Sequence, residues 1–402
     1  MYLTTEEENV LNGKYGMGKS NAMKLLVSLG EMFDADKLIP IKRAHWAVSG
    51  QEGDLFFAEK LANSGARVSV VTTTNPAWDS TLSNLFHVDI DDYERSLLDR
   101  TIEVSDKLGV IKSFNCTPYL YKDVPSFGEH AAFSESSATP YINSVYGART
   151  NRESSSSALA AGVIGKTPNY GLHLDENRIP NITVNVSAQI KDDFDMGLLG
   201  WHLGEILKPD DVPLIKGLKI EMTEEGLRDF GAMMNTSGAV SLFHLEGVTP
   251  EVKGISDTSS WVSSRERITV TSEDVEKVRK KFTDKRGKIN SVYIGCPHST
   301  IPEVMKVNRL LDGRKVNDEV KFLIFTSATN IKILGENVKK LASKGVYVMQ
   351  DSCVDEPVFK FTEGGLGATN SLKAAYYRKR RNQEFVVTNI ENLVEAAVRG
   401  YI

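Results

Sequence analysis

Cysteine is scarce in this chain: three residues in 402, Cys116, Cys296 and Cys353. So low and odd a number excludes a disulfide framework and fits a reducing compartment. Nor is there an apolar run long enough to cross a bilayer. The acidic opening Met1-Tyr2-Leu3-Thr4-Thr5-Glu6-Glu7-Glu8 lacks the apolar core of a signal peptide. No excess of basic charge is present, with 48 Lys and Arg against 53 Asp and Glu, and hence no basic surface for nucleic acid. Internal repeats and low-complexity tails are also missing. These absences predict a soluble, cytoplasmic, globular protein with two to three subdomains, of which 41% of residues are hydrophobic and 25% charged.

Helical and strand signals alternate, which predicts an α/β fold rich in parallel sheet. Asp54 to Ala62 reads as a helix ending near Gly65. Val68 to Val71 reads as a strand emptying into Thr72-Thr73-Thr74-Asn75-Pro76. Asp92 to Lys107 is an amphipathic helix closed by Gly109. Thr271-Ser272-Glu273-Asp274 opens another helix with a cap residue and first-turn acids. Phe322 to Phe325 then reads as a strand, Glu336 to Ser343 as a helix closed by Gly345. The segment 128–180 is polar, with one clear helical piece from Ser154 to Val163. Its interspersed Phe133, Tyr141, Ile142, Val145 and Tyr146 predict that it is ordered. Two tentative subregions are 1–215 and 216–402.

Each cysteine follows a short apolar run: Val110, Ile111 and Phe114; Val292, Tyr293 and Ile294; Val346 to Met349. Such runs read as buried strands, and in a parallel sheet the carboxyl ends of strands converge on the ligand crevice. Number and spacing alone favour ordinary buried thiols, because the cysteines lie 180 and 57 residues apart, unlike any compact metal signature. The local chemistry favours ligands instead. A core cysteine sits inside its apolar run, whereas these lie just past the end, in Asn115-Cys116-Thr117-Pro118, Gly295-Cys296-Pro297-His298 and Asp351-Ser352-Cys353-Val354-Asp355. Three thiols at one edge would hold an iron–sulfur cluster by three corners and leave one iron open.

Gly13-Lys14-Tyr15-Gly16-Met17-Gly18-Lys19-Ser20 fits the phosphate-binding pattern G-x-x-x-x-G-K-[ST]. That pattern works only after a buried strand, and Thr4 to Leu11 reads instead as a capped helix. The match is therefore read as coincidental. Ser154 to Ser157 read as plain helix-capping chemistry. Arg149 and Arg152 are candidates for bidentate carboxylate or phosphate binding, with surface ion pairs as the equal alternative. His173 and His298 read as hydrogen-bonded structural histidines, and Glu135 with Ser136 as the better proton-handling pair.

Several segments carry a wider resemblance: Cys116-Thr117-Pro118-Tyr119, Phe127-Gly128-Glu129-His130, Ser134-Glu135-Ser136-Ser137, and the run from Asn143 to Glu153. Thr167 to Arg178, Phe243 to Pro250 and Gly295 to His298 continue it. Through them the chain resembles the aconitase X family over nearly its whole length. The resemblance implies an aconitase-like α/β fold, with parallel-rich sheets, helices on both faces and subdomains around a central cleft. It implies a hydro-lyase that uses an iron–sulfur cluster of the 4Fe–4S type, held by Cys116, Cys296 and Cys353. Substrate contacts are implied from Ser49, Asn75, Pro76, Glu135, Ser136 and Lys373, with Ala47 and Val48 in the same loop as Ser49 and Arg149 as a further anion contact. Catalytic roles fall to Glu135, Ser136 and Lys373.

Two-subunit members dehydrate (R)-5-phosphomevalonate, and others dehydrate cis-3-hydroxy-L-proline. The first substrate is the expected one here, with a small swivelling-domain subunit as partner and as the source of the base. Ser154-Ser155-Ser156 replaces the family's Gly-Gly-Pro, and Trp46-Ala47-Val48-Ser49-Gly50 departs from a Ser-Gly-Val-Ser loop. Both departures bear on the end of the pocket away from the iron. A non-catalytic cluster-bearing or ligand-binding subunit is the alternative of another class.

Overall fold

The computed structural model describes residues 1–402 apart from 49–51, 122, 256 and 265. Three wholly parallel sheets form its frame. Val71–Thr74, Arg43–Trp46 and Ala131–Phe133 make the first. His244–Leu245, Pro213–Lys216, Ile182–Val186 and Arg267–Val270 make the second. The third runs Val346–Gln350, Lys321–Thr326, Ile289–Ile294, Leu366–Thr369, Glu384–Val387. A short antiparallel pair, Leu38–Pro40 with Lys166–Pro168, stands apart. Position 215, tentatively read as a division, lies inside a strand of the second sheet, and the sheets instead group the chain in three.

One hydrophobic core runs from Ala77 and Trp78 through Trp201 and Phe230 to Phe325 and Val387, so it joins all three units. Helices Asp193–Ile206 and Glu224–Gly238 cross within it at backbone contact. A Cβ added at Gly200 would lie 2.3 Å from the Phe230 carbonyl oxygen, and one at Gly238 would lie 1.9 Å from that of Gly204. Among the described residues no helix is long and apolar enough to cross a membrane.

The helices expected near Asp54, Asp92, Thr271 and Glu336 form as Glu52–Asn63, Asp92–Leu108, Ser272–Thr283 and Glu336–Ala342. Gly109 closes the second at φ 75°, and Thr271 caps the third in a reciprocal box with Asp274. The strand expected at Val68–Val71 starts three residues later. Ser69 is bound to the Ser155–Ile164 helix through Gly162 and Val163, while the buried, β-branched Thr72, Thr73 and Thr74 carry the ladder.

No strand precedes Cys116. Ile111 makes a single bridge to Thr73, and Phe114 then turns the chain at φ 41°. Ser113 and Asn115 still bond to Thr74, so the segment follows the sheet edge without joining it.

The polar segment 128–180 is ordered because several of its polar side chains are bonded inside the core. Buried Asn143 donates to the Thr150 and Ser241 carbonyls at 2.9 Å. Arg178, 2% exposed, donates to the Asn143 carbonyl and to Glu251. Ser154 and Ser157 form a capping box.

The Gly13–Ser20 match is packing. Helix Thr5–Leu11, not a strand, precedes it. The Gly18 N–H donates to the Ser64 carbonyl, and a Cβ there would meet Ala66 N at 2.7 Å.

Candidate active site

A cavity of about 740 Å³ opens where the carboxyl ends of the first and third sheets face one another. Cys116, Cys296 and Cys353 all line it, and all three thiols are free. Cys296 lies two residues past Ile289–Ile294 and Cys353 three past Val346–Gln350. Gly295 turns the first of these loops at φ 105°, and a Cβ there would lie 2.2 Å from the Phe325 carbonyl oxygen, so only glycine fits. The Cys353 loop is stitched to the loop after Val71–Thr74. Ala77 N–H donates to Asp351 O at 2.8 Å, Cys353 N–H to Ala77 O at 3.1 Å, and Asp79 N–H to Ser352 Oγ at 2.9 Å.

Beside the thiols lies a buried ion pair. Lys373, on helix Leu372–Lys379, donates from Nζ to Glu135 Oε1 at 2.8 Å and to Ser136 Oγ at 2.9 Å. Their side chains are 7% and 8% exposed for Lys373 and Glu135. Glu135 accepts further bonds from Asn75 Nδ2 at 2.6 Å, the Ser137 N–H at 3.1 Å and the Ser136 hydroxyl at 3.1 Å. Burial alone would raise this carboxyl, but Lys373 and the amide donors hold it at about 2. Lys373 is pushed the opposite way, well above the ordinary lysine value: burial works against its charge, and Glu135 overcomes it.

A relay stands behind Asn75. Because Asn75 turns its amide nitrogen to Glu135, its oxygen faces His45 Nε2 at 2.8 Å, which puts the imidazole proton on Nε2. His45 Nδ1 then accepts from the Thr73 hydroxyl at 2.8 Å, and Thr73 Oγ1 accepts from Arg43 at 3.3 Å. Burial lowers the His45 imidazole to about 4, so it is neutral. His45 and Thr73 were not singled out from the sequence. The signal was there: Arg43-Ala44-His45-Trp46 places two ionisable residues inside a fully buried strand.

Asn75, Pro76, Glu135, Ser136, Lys373 and Val48 line the cavity with the cysteines. Ser49 lies outside the described residues. Ala47 is not among the described residues that line the cavity, and its N–H donates to Ser134 Oγ at 2.7 Å. Arg149 also points elsewhere, held by the His173 carbonyl at 3.0 Å and by the Asp175 carboxylate. Arg152 is exposed away from the cavity. His173 packs against His130 at 3.0 Å, and burial lowers it to about 3. Tyr93, Glu94, Glu356, Tyr377, Arg380 and Arg381 also line the cavity, and the sequence does not single them out.

As bare thiols the cysteines are protonated. Burial raises Cys116 to about 12 and Cys296 to about 11, and it raises Cys353 well above the ordinary thiol value. Among the described residues no three His, Cys, Asp or Glu groups converge on one point as a single metal ion requires. An iron–sulfur cluster makes a different demand, one thiolate for each of several irons. The donor set fits that demand. Backbone N–H groups already face two of the sulfurs, His298 to Cys116 Sγ at 3.3 Å and Asp355 to Cys353 Sγ at 3.5 Å.

Family models describe the same division as the sheets: the aconitase X first domain matches residues 1–176, the second 180–280 and the third 289–399. The phosphomevalonate dehydratase large subunit of Thermococcus kodakarensis is 40% identical, covering 99% of this chain and 100% of that one. Its counterpart from Methanocaldococcus jannaschii is 35% identical over 98% and 100%. The cis-3-hydroxy-L-proline dehydratase of Pseudomonas aeruginosa is 30% identical, covering 98% of this chain but 69% of that protein. The crystal structure of Thermococcus kodakaraensis aconitase X in its holo-form superposes with a TM-score of 0.89 at 37% identity, over 99% of this chain and 100% of that one. With all three domains present in order and the identity spread over the full length, the chain belongs to the aconitase X family and is a dehydratase of that type.

Proposed function

We propose that this chain is the large subunit of a cytoplasmic phosphomevalonate dehydratase, which removes water from (R)-5-phosphomevalonate to give trans-anhydromevalonate 5-phosphate. One observation carries the reading: three free thiols and the Glu135–Lys373–Ser136 cluster share one cavity. The substrate choice is supported by identity, which is 40% and 35% to two phosphomevalonate dehydratase large subunits and 30% to the hydroxyproline enzyme of Pseudomonas aeruginosa.

Dehydration of a β-hydroxy acid needs a poor leaving group to depart and a weakly acidic C–H beside the carboxylate to lose its proton. A 4Fe–4S cluster held by Cys116, Cys296 and Cys353 would supply a Lewis acid for the hydroxyl. Lys373 places a fixed positive charge at the cavity wall, where a substrate carboxylate accumulates negative charge as the proton leaves. Ser136, between the ammonium and the Glu135 carboxylate, offers a preset hydroxyl. Glu135, held at about 2 with four donors, is a poor proton acceptor; it fixes Lys373 and Ser136 rather than acting as the base. Asn75 holds Glu135 from the opposite oxygen. The base is assigned to a small swivelling-domain subunit closing over the mouth.

The test is anaerobic purification with that small subunit, followed by iron and sulfide analysis and assays on both hydroxy acids. Turnover of phosphomevalonate, with iron lost in Cys116→Ser, Cys296→Ser and Cys353→Ser, is expected. Turnover of cis-3-hydroxy-L-proline alone would overturn the substrate, and an iron-free protein that resists reconstitution would overturn the chemistry.

A further inference from the structure

The three cysteines come from three separate segments, and in the cluster-free protein no bond joins them. One residue touches all three segments. His298 follows Cys296 by two positions, and its backbone N–H donates to Cys116 Sγ at 3.3 Å. Its ring packs against the Asn115 side chain, which precedes Cys116, with Nδ1 3.0 Å from Oδ1; the proton is on Nε2, so this is a contact and not a hydrogen bond. Its Nε2–H donates at 2.9 Å to the carbonyl of Ser352, which precedes Cys353.

Each contact is itself braced. Asn115 Oδ1 accepts from the Thr117 N–H and hydroxyl, at 3.0 and 2.8 Å, and its Nδ2 donates to Tyr121 Oη at 3.1 Å. Ser352 bonds to Gln350 and Asp79. The His298 carbonyl accepts from Arg228 at 3.2 Å. His298, Asn115 and Ser352 are 2%, 3% and 0% exposed, so water cannot take over a lost contact.

We propose that His298 is a positioning residue that sets the mutual placement of Cys116, Cys296 and Cys353 before any cluster is present. The inference rests on the reading of those thiols as cluster ligands. Its imidazole bonds the Ser352 loop through Nε2–H while packing against Asn115; glutamine can keep the Ser352 bond through its amide N–H, and alanine keeps neither contact. Outer groups that orient ligands commonly change metal retention 10- to 100-fold when removed.

The experiment compares full-length wild type, His298→Gln, His298→Ala and His244→Ala. His244 is an equally buried histidine, bonded to the Arg178 carbonyl at 2.9 Å and placed in the second sheet. Iron and sulfide content and the lifetime of the visible absorbance under chelator are measured after anaerobic reconstitution, with Tm of the cluster-free forms alongside. His298→Ala is expected to shorten the cluster lifetime about 10-fold or more, His298→Gln less, and His244→Ala only to lower Tm. Equal lifetimes in wild type and His298→Ala, or lifetimes that simply follow Tm across the set, overturn the proposal. If wild type takes up no cluster, the ligand reading fails, and alkylation of the cluster-free chains decides the rest. Faster labelling of Cys116 and Cys353 in His298→Ala than in His244→Ala supports positioning, and equal labelling overturns it.

Discussion

Replacing Lys373 with methionine strands the Glu135 carboxylate at the cavity wall. The cost follows from the wild-type titration. Its carboxyl is held at about 2 against an ordinary 4.5, and each unit of depression is worth about 1.4 kcal/mol, so burial, Lys373, Asn75 and the Ser137 N–H together stabilise the folded chain by about 3 kcal/mol above pH 4.5. Removing one partner of a buried pair costs about 3–5 kcal/mol in general. The lower end applies here, because Asn75 and the Ser137 N–H remain on the carboxylate.

The sign is fixed by the direction of the shift. A depressed carboxyl stabilises above its unfolded value near 4.5 and loses that contribution as pH falls toward 2. In Lys373→Met burial dominates, the carboxyl rises, and protonation relieves it on acidification. The variant's deficit is therefore largest at neutral pH and shrinks as pH falls through the variant's raised carboxyl value, above 4.5, and on toward 2. Urea unfolding of the cluster-free proteins at neutral and acidic pH measures it. A deficit under about 1 kcal/mol at neutral pH, or one unchanged by acidification, refutes the reasoning.

The same logic predicts that Arg228→Met lowers stability by about 3–5 kcal/mol in urea unfolding, since Glu303 and Asp229, each 8% exposed, lose their shared guanidinium. Gly238→Ala is expected to cost about 3 kcal/mol or more, read as a fall in Tm, because its methyl would collide with the Gly204 carbonyl. Thr73→Val removes the hydroxyl that orients His45, and with it Asn75 and Glu135. It should lower kcat roughly 10- to 100-fold with little change in KM, while Thr73→Ser restores the rate. Equal rates in the two variants would show that the relay has no bearing on the site.

What was legible in the sequence was local. Caps and stop signals at Thr4, Thr271, Ser154 and Gly109 act within one turn of chain, so those helices appear where expected. The buried runs before Cys296 and Cys353 likewise state their own strands. The run before Cys116 misled, because a short apolar stretch does not say whether a partner strand offers a free ladder; here Thr73 accepts one bridge and Phe114 turns away. Arg149 left an anion contact and an ion pair equally open for a related reason. A charged residue in a family-like segment looks available until the fold brings Asp175 beside it.

Taken alone, the sequence determined most of the helix–strand alternation, the buried sense of the runs before Cys296 and Cys353, and the placing of three thiols just past apolar runs. Those properties depend on neighbours a few residues away. Tertiary structure decided that Lys373 meets Glu135 across 238 positions, that His298 reaches both Asn115 and Ser352, and that the Cys353 loop is tied to Ala77. Such pairings are set by how three sheets pack on one core, and no local period in the chain encodes them.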